Sequence, residues 1–308
     1  MTATARVLVI GDVMIDIAAL LDGPIAIGSD RRAKIFERAG GSAATQAVWL
    51  ARFGIAVDFV GKVGAADFAR ESERLRRAGV EPHLAADSYF DTGRLIAIVE
   101  SSGERSFLTD RGANDALEAA DIPDALIARA EHIHLSGYSF FSQNPRLAMR
   151  SVMRRAGSRP VSIDAASAEF LRDAGAANFL EWTKGAAMLF PNAEEAEVLT
   201  GTDDRPAQGE HLAALYPLVV IKRGAAGCEA WAGGDHWRVG APEARVVDTT
   251  GAGDAFVAAF LAARLKGEAM ETSLQKAVAA GSAATEFVGG RRPDSNHDEF
   301  YDEFGLPK

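Results

Sequence analysis

The chain has 308 residues, 48% of them hydrophobic and 25% charged, which is globular composition with ample length for a full core. Its formal net charge of -10 argues against general binding to nucleic acid or anionic membranes, while leaving room for a local basic pocket. The single cysteine, Cys228, excludes an internal disulfide framework and a cysteine-rich zinc site, and reads as a small buried hydrophobe. The first ten residues lack a signal-peptide pattern, and no stretch is apolar enough to span a bilayer, so a cytoplasmic location is expected.

Residues 6–10 are a buried-type strand ending at Gly11. Asp12-Val13-Met14-Ile15-Asp16 follows at the carboxyl end, where open α/β sheets place ligands. Taken alone, Asp16 is a turn cap. Residues 29–38 are charged and irregular, and Arg31, Arg32, Lys34 and Arg38 read as a solvated face. Gly40-Gly41-Ser42 opens a helix through Phe53, closed by Gly54, and its alanines keep it thin enough to pack close to a sheet. A strand at 57–63 and a polar-faced helix at 67–78 come next. Short β runs at 94–100 and 105–109 flank Ser102-Gly103-Glu104, a hairpin turn.

Beyond Asp121 the pattern is regular: helix 121–130, strand 133–135, helix 144–156, strand 161–164, helical residues 168–183, strand 187–190, helix 193–199, and strands 218–221 and 228–232. Such alternation implies parallel β-α-β units and a sheet covered on both faces, in one domain over 1–308. Tyr138, Phe140 and Phe141 lie past a strand end and either wall a pocket or pack in the core. Asn192 and Glu195 share one face at a helix start, where they form a capping box or a metal-binding pair. Lys222-Arg223-Gly224-Ala225-Ala226-Gly227 is neither a P-loop nor a dinucleotide fingerprint; it is a turn or a phosphate loop.

The most informative run is Asp248-Thr249-Thr250-Gly251-Ala252-Gly253-Asp254-Ala255-Phe256. A β-type stretch at 244–247 leads in, and a helix leaves with Phe256, Val257, Phe260 and Leu261 on one apolar face and Gly267 as its stop. Two glycines at this strand-to-helix junction let the backbone take positive φ and turn several N–H groups toward one point. With the partial positive charge of the helix N-terminus, they make an anion site. Asp254 on the first turn is either an N-cap or a carboxylate facing a hydroxyl about to attack a phosphoryl group. The helix N-terminus favours its ionised form. A long Ala-rich helix at 271–288 completes the pattern.

The nine-residue run resembles, with a complete match, the C-terminal signature of the ribokinase (PfkB-type) family of carbohydrate kinases. The resemblance spans nearly the whole chain, from Gly11 to the loop after 288. It implies a ribokinase-like three-layer αβα sandwich with a mostly parallel central sheet and a small β lid built from segments around 13–39 and 90–112. It implies ATP-dependent phosphorylation of a sugar hydroxyl, with Asp254 taking the proton and the N–H groups of Gly251, Ala252 and Gly253 receiving the moving phosphoryl group. Asp16 would hold sugar hydroxyls. Gly40 and Gly41 match the N-terminal signature, in which Thr45 replaces the usual Asn. Asn192 and Glu195 match an Asn-x-x-Glu motif whose Glu helps hold Mg2+, often through water. Lys222, Arg223, Gly224 and Gly227, with Gly251 and Gly253, would follow the nucleotide, and Thr285 with Gly289-Gly290-Arg291-Arg292 would cup adenine. Asp248 and Thr250 would hold a monovalent cation such as K+. Lids of this family pair between subunits, which implies a homodimer.

Met14, where ribose-specific members carry Asn, and Thr45 argue against ribose. The aromatic run suits a nucleoside or pseudouridine, and the arginines around the lid suit a sugar phosphate. A non-catalytic small-molecule sensor of the same fold is a reading of a different class. A nicotinamide-linked oxidoreductase lacks its fingerprint after the first strand, where Gly11-Asp12-Val13 offers one glycine.

Overall fold

Strand β1 (Arg6–Ile10) is buried on both faces: Val7 and Val9 enter one apolar core and Leu8 and Ile10 the other. Period-two alternation between two dry faces puts such a strand in the middle of a covered sheet. The computed structural model describes residues 5–25, 27–100, 105–286 and 289–290.

In chain order, β1 is followed by β2 (Met14–Leu21), β3 (Ala33–Gly40), α1 (Ser42–Arg52), β4 (Ala56–Gly64), α2 (Phe68–Arg77), β5 (Glu81–Asp87), β6 (Gly93–Val99) and β7 (Arg105–Asp110). Next come α3 (Asp124–Arg129), β8 (His132–Ser136), α4 (Gln143–Arg155), β9 (Val161–Asp164), α5 (Ala168–Ala174), α6 (Ala176–Trp182), β10 (Met188–Phe190), α7 (Ala193–Thr200) and α8 (Arg205–Ala213). The chain continues through β11 (Leu218–Lys222), β12 (Cys228–Ala232), β13 (Asp235–Val239), α9 (Ala252–Leu265) and α10 (Met270–Ala284).

The described residues form a nine-stranded sheet in the order β13-β12-β11-β10-β9-β8-β1-β4-β5, antiparallel only at β12 and β13. Side chains of α3 to α8 pack on one face, and those of α1, α2, α9 and α10 on the other, giving the αβα sandwich that the resemblance implies. A separate four-stranded sheet has the order β3-β2-β6-β7. Its middle pair is parallel, and both outer pairs are antiparallel.

Several elements depart from the sequence reading. Residues 29–38 are not irregular throughout: residues 33–40 are a strand of the small sheet that the resemblance implies, pairing with β2 from Met14↔Gly40 to Leu21↔Ala33, and on this partly exposed strand charge does not disrupt pairing. Residues 244–247 are not a strand; the Val247 and Asp248 N–H groups donate instead to the Thr285 carbonyl. The glycine motif therefore joins a loop, not a strand, to α9. The helical region 168–183 is two helices broken at Gly175, whose φ of 82° suits a residue without Cβ. β5, α8 and β13 had no clear sequence signal. The turn Ser102-Gly103-Glu104, the last residues of the expected helix at 287–288, and Arg291 and Arg292 lie outside the described residues. Among the described residues, no helix is long and apolar enough to cross a membrane.

Candidate active site

The carboxyl ends of β1, β8, β9, β10 and β11 all open on one cavity of about 520 Å³, floored by the start of α9 and walled on one side by the smaller sheet. Each strand delivers a polar residue there: Asp12, Tyr138, Asp164, Asn192 and Lys222. This is the ligand side of a parallel sheet.

At the floor, Gly251 has φ 75° and precedes the first residue of α9. A Cβ on Gly251 would lie 2.3 Å from Gly290 Cα, so only glycine permits the 289–290 loop to close over the helix start. The amides of Gly251, Gly253 and Asp254 make no hydrogen bond within the chain among the described residues, whereas the Ala252 N–H donates to the Thr249 carbonyl. Lys222 Nζ sits 3.5 Å from the position a Gly253 Cβ would take, so an ammonium faces the same cradle. Free N–H groups, a helix N-terminus and a lysine converge, as an anion site requires.

Asp254 lines the cavity beside this cradle. Its Oδ1 accepts from Ser42 Oγ at 2.6 Å and from Gln46 Nε2 at 3.0 Å. Burial first, then the charge of Asp164, push its carboxyl from 3.8 up to about 8, against the opposing pull of the Ser42 hydroxyl and Lys222. The helix N-terminus favours the ionised form, but desolvation and neighbouring carboxylates outweigh it. Lys222 is itself bound to Asp164 at 2.7 Å, and although burial lowers its pKa, attraction to Asp164 and Glu195 carries the net shift upward.

Asn192 and Glu195 realise the capping box at the start of α7. The Asn192 N–H donates to Glu195 Oε2 at 2.7 Å, and the Glu195 N–H donates to Asn192 Oδ1 at 2.8 Å. Asn192 Nδ2 also donates to Glu195 Oε1 at 2.7 Å. Both residues line the cavity, so capping and pocket placement coincide. Burial holds the Glu195 carboxyl up at about 7.

Asp16, Gly41 and Thr45 also line the cavity, with Met14, Leu95, Thr109 and Arg111 beside them. Gly40 does not: its missing Cβ makes room for the Asp16 carboxylate, which would lie 2.0 Å from it. Gly41 has φ 91°, and a Cβ there would meet the Asp12 carbonyl at 2.5 Å. Asp12 binds the Ser42 N–H at 2.8 Å and the Ser136 hydroxyl at 2.8 Å, tying the start of α1 to the end of β8.

Other expected contacts fall elsewhere. Arg223 is buried against Glu229 at 3.0 Å and Gln208 at 2.6 Å, behind the pocket wall. Gly227 is a turn residue, packed so that a Cβ would meet the Val239 carbonyl at 1.9 Å; Gly224 does line the cavity. Thr285 donates its hydroxyl to the Ser282 carbonyl and anchors the 247–248 backbone without lining the cavity. Asp248 accepts from the Thr250 N–H at 2.9 Å, the Thr250 hydroxyl at 2.8 Å and the Gly289 N–H at 2.9 Å, which fixes the loop before α9. Phe140 is fully buried and Phe141 stacks on Phe179; Tyr138 lines the cavity, accompanied by Phe170.

Sequence reasoning missed Ser42, Gln46 and Asp164. A signal existed for Gln46: a lone amide among alanines on a helix built to pack against a sheet. Ala166, with φ 78°, also lines the cavity two residues after Asp164. Backbone strain in a non-glycine residue is a mark of functional sites that no residue pattern announces.

A family model described as pfkB family carbohydrate kinase matches residues 4–296. An uncharacterized sugar kinase of Archaeoglobus fulgidus is 31% identical over 72% of this chain and 88% of its own length. Fructokinase-1 of Zea mays is 31% identical over 84% of this chain and 83% of its own. Among solved structures, an E. coli protein described as a ribokinase II, in complex with ATP and Mg2+, superposes with a TM-score of 0.82 at 24% identity, covering 93% of this chain and 94% of its own.

Proposed function

The chain belongs to the pfkB family of carbohydrate kinases, and on that premise we propose that its cavity phosphorylates a sugar hydroxyl from ATP, with Asp254 as the proton acceptor. The observation that carries this reading is the juxtaposition at the start of α9: a carboxylate beside three unpaired N–H groups and a lysine.

In the proposed reaction Asp16, on the facing wall, holds the sugar so that one hydroxyl meets Asp254. The hydroxyl oxygen attacks the terminal phosphorus of ATP, its proton passes to an Asp254 carboxylate oxygen, and ADP leaves. The amides of Gly251, Gly253 and Asp254, with Lys222, receive the charge on the transferring oxygens. A loose transition state asks little of the base, so a carboxyl titrating near 8 suffices.

Mg2+ fits the residues present. Glu195 is a buried carboxylate facing the cavity, each oxygen accepting one hydrogen bond from Asn192 and keeping a lone pair free, and contact through water would leave the cap undisturbed. Bound there, the ion would supply positive charge to offset that of the phosphates. A monovalent ion such as K+ beside Asp248 and Thr250 belongs to the same proposal, and comparing rates in potassium and tetramethylammonium salts tests it.

The smaller sheet, a lid in this reading, covers the sugar side and exposes Ile35, Phe107 and Leu108 on its edge strands, which supports pairing of two lids in a homodimer. A cytoplasmic location, where ATP is at hand, completes the reading. Met14 and Thr45 on the cavity wall favour a sugar other than ribose. Purified protein with ATP, Mg2+ and a panel of sugars, sugar phosphates and nucleosides, assayed for ADP release, tests the function. Release with no acceptor above the ATP-only rate would return the chain to the sensor reading.

A further inference from the structure

A row of buried polar side chains runs away from Asp254 into the sheet. His132 and His134 lie on the same face of β8, and the β8–β9 register sets His134 opposite Ser162 and Ser136 opposite Asp164. His132 Nε2 and His134 Nδ1 each lie 2.7 Å from Ser162 Oγ. His134 Nε2 lies 2.6 Å from Gln46 Oε1. Gln46 Nε2 reaches Asp164 Oδ2 at 2.9 Å and Asp254 Oδ1 at 3.0 Å. His134, Ser162 and Gln46 are fully buried.

One arrangement of hydrogens satisfies this row. Asp164 Oδ2 and Asp254 Oδ1, the latter already accepting from Ser42, both require N–H from Gln46, so Oε1 faces His134 and must be an acceptor. His134 therefore carries its proton on Nε2 and leaves Nδ1 as an acceptor. Ser162 then donates to His134 Nδ1 and accepts from His132 Nε2–H. Burial holds both imidazoles down to about 3, so each is neutral with one donor and one acceptor. The alternative, with His134 protonated on Nδ1, would set two acceptors 2.6 Å apart.

We infer that His134, its tautomer fixed by Ser162 and His132, is a positioning residue that locks the Gln46 amide so that only N–H faces Asp254. Without that lock only Asp164 holds the amide in place, against a turned form that accepts a hydrogen bond from protonated Asp254. The lock favours the ionised carboxylate, the form that accepts the hydroxyl proton, and so rests on the role proposed for Asp254. The other charged groups facing Asp254 are Asp164, Lys222 and Asp12, of which Asp164 shares the Gln46 amide.

The test is the pH profile of kcat in His134→Phe and His134→Gln, on the full chain with the best acceptor from the panel. His134→Phe is expected to move the acidic limb up by about one unit, which lowers kcat roughly tenfold below the limb and spares the alkaline plateau. KM for ATP stays within about twofold on this account. His134→Gln, whose amide can donate to Gln46 Oε1, is expected to restore the limb. A lowered plateau with an unmoved limb would mean lost packing and overturn the inference, as would equal losses in both variants. Should His134→Phe fail to fold, Ser162→Ala decides, with a smaller upward move of the limb expected and an unmoved limb counting against it. Nitrogen-15 spectra of the wild-type histidines add an independent readout. A neutral Nε2–H form at His134 from pH 5.5 to 8.5 supports the lock, and an Nδ1–H form or a titration in that range overturns it. Because this readout needs no turnover, it stands apart from Asp254→Asn, whose unchanged kcat would sink the base assignment alone.

Discussion

Asp254 concentrates the chemistry and shows how opposed forces settle at one residue. Ser42, Gln46 and Lys222 favour its charge, and burial among other carboxylates opposes it more strongly. Asp254→Asn is expected to retain ATP binding by calorimetry and to lose about 10² to 10⁴ in kcat, the usual worth of a positioned base. The acidic limb of the wild-type profile, near pH 8, should vanish in that variant. Stability carries a linked signature. Between the unfolded value of 3.8 and the folded value of about 8, the native state holds a proton that the unfolded chain has released. Native stability therefore falls as pH rises through that window. Asp254→Asn should raise Tm over wild type, with a gain that grows from pH 5 to pH 8. A gain that stays flat with pH would show that the carboxyl is not held up as described.

Two helix starts organise the reacting end of the cavity. The start of α9 depends on Gly251, whose positive φ and contact with Gly290 exclude a side chain. Gly251→Ala is expected to cost about 1 to 3 kcal/mol of stability through backbone strain alone. It should also push the 289–290 loop off the cradle and weaken ATP binding, read together by thermal unfolding and calorimetry. The start of α7 carries the Asn192–Glu195 box. Asn192→Ala removes a cap worth about 1 kcal/mol and releases the Glu195 carboxylate from its fixed orientation. The expected outcome is a modest fall in Tm together with a raised Mg2+ requirement. A changed Tm with an unchanged Mg2+ dependence would confine Asn192 and Glu195 to capping.

At the scale of the molecule, the smaller sheet stands apart from the sandwich and closes one side of the cavity. If its exposed Ile35, Phe107 and Leu108 meet a second copy, sedimentation should find a dimer, and Ile35→Lys should shift it toward monomer. A monomeric wild type would remove that interface. Much of the order of strands and helices was legible in the chain because strands such as β1 and β11 carry an apolar run and helices such as α9 an apolar face. The site before Asp254 was legible too, through the complete nine-residue run from Asp248 to Phe256, since two glycines and an acid alone also suit a tight turn and an N-cap. Ser42, Gln46, Asp164 and His134 were not: Ser42 and Gln46 lie 212 and 208 residues from Asp254 along the chain, and each of the four by itself is an unremarkable polar residue. Arg223 drew attention as a cation in a glycine loop, yet a single residue separates its pairing with Glu229 from the pocket placement of Lys222, because successive side chains at a strand end point to opposite sides. Local pattern decided the layers and the anion cradle, which are made by neighbours in sequence. Which carboxylates crowd together, and therefore how Asp254 titrates, was decided by folding, since desolvation and charge act through distances that only the packed molecule sets.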